Sequence, residues 1–292
     1  PDLRSGNSSP VSWQRCDSIA LVLLALLGVL LAVTPHVSNL VCHGTFQFLA
    51  DDDDVFYMAL ARPGYHGEWQ MRDVYLGKWE KVPALHAWFQ IVPWSKLASG
   101  LGIPLIYLAL VWRVVGGALF AGTAYWMFRS LLGRSSRPML WAAAGTVLML
   151  TDAGLLGRLG LENFLLAYRW LQGSHPEVIT MHQYRVVTPL TNAPLLMVLA
   201  GCMIPARLSM TRFRVLGAVM LGLTILVYFF FWTAAVVALA AYTAVVIGLA
   251  WAGKLSPENR QCLNRYAIGL MVVLAAGLLI GSPQILNNTR SF

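Results

Sequence analysis

Long apolar runs, rather than one-sided stripes or alternation, dominate the chain. The first, "IALVLLALLGVLLAVT", covers residues 19–34 and is extended upstream by Val11 and Trp13. Others cover 103–128, 139–151, 187–205, 215–231, 235–252 and 266–281, with the short "FWTA" stretch read as the turn that splits 215–231 from 235–252. A helix that is apolar all round belongs in a membrane or a large core, and about 20 such residues cross a bilayer. The pattern predicts an all-α polytopic membrane protein with about seven transmembrane helices. No small-x-small cleavage site clearly follows the first run, so it reads as a retained span and not a signal peptide.

Composition agrees: 58% of residues are hydrophobic, only 12% are charged, and mean hydropathy is +0.63. A soluble domain is about a quarter charged. The chain opens at Pro1 and stops at "NNTRSF" directly after a span, so it reads as a piece of a longer protein lacking a C-terminal remainder.

The polar segments between runs set an orientation. With the N-terminus inside, the inner loops 129–138, 206–214 and 253–265 each carry three basic residues, and Arg4 and Arg15 join them from the N-terminal tail. That is the positive-inside pattern, and it predicts a cytoplasmic N-terminus in a cell (inner or plasma) membrane. The net charge of +8 therefore describes a cytoplasmic membrane face and is no argument for nucleic acid. Two long outer loops remain, about 35–102 and about 152–186, and they hold all six histidines. Cys16 and Cys262 face inward, Cys202 lies in a span and Cys42 is alone outside, which builds no disulfide framework.

The densest charge is "DDDDVFYMALAR", residues 51–62, in the first outer loop. Asp is a favoured N-cap and acids suit a first helical turn, which accounts for one or two of the four. Four adjacent carboxylates repel and call for a cation, a proton or a basic partner. A carboxylate site at a helix N-terminus, just above the membrane, is the functional reading.

An acidic pair followed by "xxYxxxAR" in the first outer loop resembles the GT-C superfamily of membrane glycosyltransferases. This group includes the oligosaccharyltransferase catalytic subunit, protein mannosyltransferases and the aminoarabinose transferases of lipid A. In that family an Asp precedes an Arg by nine residues, as Asp53 precedes Arg62 here. The resemblance implies that Asp53 is the catalytic acid and Asp54 its neighbour; Asp51 and Asp52 have no counterpart. It also implies a seven-span core and amphipathic helices on the two outer loops. The expected reaction moves a sugar from a polyprenyl-phosphate donor to an acceptor on the outer face.

Further residues take their expected roles from the same resemblance. The segment 65–102, with Trp69, Trp79, Trp88 and Trp94 among Lys78, Lys81 and Lys96, is either an aromatic belt or a membrane-surface segment framing the donor's entry groove. His66, Glu68 and His86 are polar candidates at that groove. Asp152 either terminates a span or joins Asp53 around Mg²⁺ or Mn²⁺, for which oxygen ligands are suited. Asp152 is not part of an Asp-x-Asp pair; Glu162, His175, Glu177 and His182 are weaker candidates in its loop. Arg185, at the entry to the 187–205 run, either snorkels to membrane lipids or holds the donor phosphate. Arg113 is a charge inside a span and needs a partner that the sequence does not name. Two other readings stay open: a transporter with an acidic mouth, and a non-catalytic polyprenyl-lipid-binding relative.

Overall fold

The computed structural model describes residues 15–48, 52–69, 88–133, 135–151, 190–227, 229–252 and 255–290. Every regular element among the described residues is an α-helix. In chain order these are α1 (Arg15–His43), α2 (Asp52–Tyr65), α3 (Trp88–Gly100), α4 (Tyr107–Leu131) and α5 (Pro138–Leu150), followed by α6 (Ala193–Cys202), α7 (Pro205–Leu208), α8 (Thr211–Ile225), α9 (Phe229–Ala252) and α10 (Pro257–Arg290).

Among the described residues four helices are long and apolar enough to cross a membrane: α1 with 29 residues, α4 with 25, Phe231–Trp251 of α9 with 21, and Pro257–Leu286 of α10 with 30. A water-exposed apolar stripe of this extent would be a liability in a soluble protein. Along α1, Ile19, Val22, Leu26, Leu30, Val37 and Val41 all face outward, and Val237, Val245 and Leu249 do so on α9. Lipid is the solvent that suits such surfaces. The expected runs 139–151, 187–205 and 215–231 correspond to α5, α6 and α8, of 13, 10 and 15 residues. At 1.5 Å per residue each falls short of a hydrocarbon core of about 30 Å.

Two boundaries differ from those read off the hydropathy pattern. Helix α1 does not end at residue 34 but carries Pro35 in its interior and runs to His43. Proline forfeits one backbone bond, here to the Leu31 carbonyl, a loss that apolar helices tolerate; beside it the Thr34 hydroxyl donates back to the Leu30 carbonyl at 2.6 Å. The stop comes at Gly44, whose φ of +69° is the left-handed conformation of a helix C-terminus. Its N–H closes onto the Leu40 carbonyl at 2.9 Å. The second difference is the break between α8 and α9, which falls at Leu226–Val227 and not at "FWTA". Residues 231–234 contain neither Gly nor Pro, so nothing halts a helix there.

Helices α1 and α4 are antiparallel. Asp17 near the start of α1 bonds Arg129 near the end of α4, while Phe48, just beyond the end of α1, meets Tyr107 at the start of α4. Midway they close on glycine. A Cβ added at Gly28 would stand 2.3 Å from the Gly117 carbonyl oxygen, and one at Gly117 would stand 2.7 Å from that of Gly28. Ala32 and Ala121, one turn on in each helix, are fully buried and complete a small-residue interface.

A second unit gathers α8, α9 and α10. Contacts advance together along α8 and α10, from Gly217 against Val273, through Gly222 against Ile280, to Ile225 against Gly281. These two helices are therefore parallel, and α9 returns the chain between them. Gly277 and Gly281 lie one turn apart and let α10 approach Leu221 and Ile225 of α8.

Candidate functional site

The site is built from the end of α1 outward. After the Gly44 turn, residues 45–48 fold back along α1. Asn39 Nδ2 donates to the Thr45 carbonyl at 2.9 Å, and His36 Nδ1 donates to the Gln47 carbonyl at 2.5 Å. Phe46 stacks on the His36 ring, with centroids 5.9 Å apart. Phe48 meets Phe46 edge-on at 4.7 Å and Tyr107, the first residue of α4, at 5.0 Å. The acidic run follows directly, and α2 begins within it.

Helix α2 is seated by Tyr57, Leu60 and Ala61, which pack with Ile91 and Val92 of α3 and with Leu108 and Trp112 of α4. That packing brings Asp54 against α4, where Arg113 Nη2 donates to Asp54 Oδ2 at 2.6 Å. Both side chains are 0% exposed. This pair supplies the partner that the intramembrane arginine required. Taking two ions out of water costs several kcal/mol each, which the pair's mutual attraction must offset. Among the described residues, Arg113 Nε and Nη1 and His36 Nε2 are buried without a hydrogen-bond partner. Helix α1, helix α2 and helix α4 thus each contribute one ionisable group to a single end of the bundle.

Two more elements reach this end. Gln90 of α3 donates through Nε2 to Asn192 Oδ1, and both residues are buried. Just before Asn192, Leu190 packs on Gly116, one helical turn from Arg113. The chain therefore re-enters the described structure beside the Asp54–Arg113 pair.

Asp53 lies in the first turn of α2, but its side chain falls outside the described residues, as do Asp152, Arg185 and His86 altogether. Arg62 is exposed on α2. His66 is exposed beyond the far end of α2, edge-on to Tyr65 at 5.7 Å. It stands 12 residues from Asp54, about 18 Å along a helix axis, so the structure does not bring the two together. In the tryptophan- and lysine-bearing segment, Lys96 Nζ lies 4.3 Å from the Trp69 ring centroid and Trp88 Nε1 donates to the Trp69 carbonyl at 2.6 Å. Trp79, Lys78 and Lys81 lie outside the described residues.

The metal expectation rests on Asp53 and Asp152, whose side chains are not described. Among the described residues no group of three or more His, Cys, Asp or Glu could hold an ion, and Asp54 already has an arginine against its carboxylate. The pairing of Asp53 with Asp152 itself lies outside the described residues.

His36, Gln90 and Asn192 were not singled out as site residues from sequence. The available signal was Arg113: a charge in a span requires an acid, and the acidic run was the richest source.

No family model, curated protein or solved structure matches the chain. The fold itself defines the class, an all-helical membrane protein with a buried ionisable cluster at one end of its first helix pair.

Proposed function

We propose that the protein is a glycosyltransferase of the GT-C type, with seven spans and a cytoplasmic N-terminus. It transfers a sugar from a polyprenyl-phosphate donor to an acceptor on the outer face. The observation that supports this most is the seating of α2. The helix carrying Asp53 and Arg62 follows the first long apolar helix, and Asp54 ties its start to α4.

In this reading an acceptor hydroxyl oxygen attacks the anomeric carbon and its proton passes to the Asp53 carboxylate. The bond from that carbon to the phosphate oxygen breaks, and the polyprenyl phosphate leaves with the electron pair. Arg185 stabilises the departing phosphate. Asp54 serves instead to hold the start of α2, its carboxylate being bonded by Arg113. Arg62 lies nine residues and therefore half a turn round the helix from position 53, so it acts elsewhere than at the same atom.

A transport reading would place ionisable groups near the midplane. The charges described on α1 and α4 sit instead at the two ends of the pair, with the Gly28–Gly117 contact between them.

The test is sugar transfer from a polyprenyl-phosphate donor in membranes. Asp53→Asn should lower the rate by about 10²–10⁴-fold, the range of a general base, with expression unchanged. Equal and mild effects of Asp→Asn at positions 51, 52 and 53 would remove the enzyme reading.

A further inference from the structure

The other end of the bundle holds a cluster of arginines that the proposed reaction does not use. Segment 205–214, "PARLSMTRFR", contains three arginines and no acid. Arg207 is held between two rings: its guanidinium carbon lies 4.4 Å from the Trp126 centroid of α4 and 5.2 Å from that of Phe213. It donates from Nη1 to the Gly201 carbonyl at 3.3 Å. The seat depends on Gly201, where an added Cβ would stand 2.1 Å from the Trp126 ring. The Arg212 guanidinium carbon lies 5.0 Å from the same Phe213 ring. Sharing that ring keeps the two cations within about 10 Å, close to the Debye length at physiological salt, so their repulsion is only partly screened.

Arg214 spends Nε on the Leu208 carbonyl at 2.7 Å. Among the described residues no carboxylate is in ion-pair contact with Arg207, Arg212 or Arg214. Burial presses the Arg207 pKa below its ordinary value; Cys202 opposes the shift and the charge of Arg212 adds to it.

The position matters as much as the charge. Trp126 lies one turn before Arg129, which bonds Asp17 at the end of α4 opposite Arg113. Arg113 and Arg129 are 16 residues apart, about 24 Å along the helix, close to one hydrocarbon thickness. Trp126 and its arginines therefore sit at the lipid headgroup level, where tryptophan concentrates.

We infer that Arg207 and Arg212 bind the phosphate of an anionic membrane lipid, with Trp126 and Phe213 holding the first guanidinium in place. A guanidinium fork matches phosphate oxygens in a bidentate manner, and two such groups around one ring can grip one phosphodiester. The inference is independent of the proposed reaction.

The test is native mass spectrometry of the full chain in neutral detergent, titrated with phosphatidylglycerol, phosphatidylcholine or inorganic phosphate. Phosphatidylglycerol should be retained in preference to phosphatidylcholine. Arg207→Gln/Arg212→Gln should weaken that retention by about five-fold per arginine. Arg260→Gln, an exposed arginine at the start of α10, should leave it unchanged. Arg212→Gln alone, also at an exposed residue, serves if the double variant does not fold. Equal retention of the two lipids, equal loss with Arg260→Gln, or displacement by equimolar inorganic phosphate would each overturn the inference.

Discussion

Removing Arg113 is the sharpest perturbation the structure offers. Arg113→Met keeps a long apolar stem but takes the guanidinium away from the Asp54 carboxylate, which is 0% exposed. Breaking one side of a buried ion pair costs about 3–5 kcal/mol, because the remaining charge stays desolvated. For a chain of this size each kcal/mol moves Tm by about 2–4 °C. A fall of roughly 6–20 °C is expected for Arg113→Met, and a comparable one for Asp54→Leu. The double variant Asp54→Leu/Arg113→Met removes both members of the pair and should recover most of the loss, since apolar replacements of buried pairs are often neutral or stabilising. Thermal unfolding in detergent, followed by tryptophan fluorescence, reads all four proteins. If the double variant loses the sum of the two single losses, the residues do not act as a pair and the seating of α2 must be argued otherwise. The corresponding cycle between Asp17 and Arg129 should be independent of this one, the two pairs being well separated.

Two further predictions concern packing and topology. Gly28→Ala should destabilise by about 1–3 kcal/mol, the usual cost of overpacking, because its Cβ would meet the Gly117 carbonyl oxygen at 2.3 Å. Gly248→Ala, with nothing within 4 Å, should instead gain up to about 1 kcal/mol from helix propensity; equal effects at the two sites would refute the close crossing. Single cysteines at Ser136 and Ser209 should label from one side of the membrane and those at Gly67 and Ser174 from the other. Cys16, Cys42 and Cys262 are exposed and must first be replaced. Labelling of Gly67 from the cytoplasm would remove the orientation on which the proposed reaction depends.

What could be read from the sequence follows the physics of each signal. Hydropathy located α1, α4, α9 and α10, since an all-round apolar helix leaves its mark in every window. It placed their ends less well. A proline counts as a stop in a water-exposed helix, yet Pro35 lies inside α1, and this moves His36 and Asn39 from a loop onto a helix. The "FWTA" break was a guess at where a long run must divide, and without a breaker residue the division fell elsewhere. The acidic run was legible as unusual, but its sorting was not. Asp54 meets an arginine 59 residues away, and no local pattern encodes a pairing at that range. The same holds for the Gln90–Asn192 contact, 102 residues apart.

The Asp17–Arg129 pair has a consequence for how the chain is made. The Tyr125 hydroxyl and Arg129 both bond the Asp17 carboxylate, at 2.8 and 2.7 Å. Arg129 is synthesised 112 residues after Asp17, an interval of roughly 6–22 s at 5–20 residues per second. Throughout it the first helix exists without Tyr125 and Arg129, two of the groups that bond its buried Asp17. Until then water or headgroups can hydrate Asp17, within a turn of the helix start, while the apolar remainder of α1 is already in lipid. Arrival of α4 then withdraws the carboxylate from water and joins the two helices in one event. A nascent chain arrested between these two residues should leave Asp17 accessible to solvent, and one released beyond Arg129 should hide it.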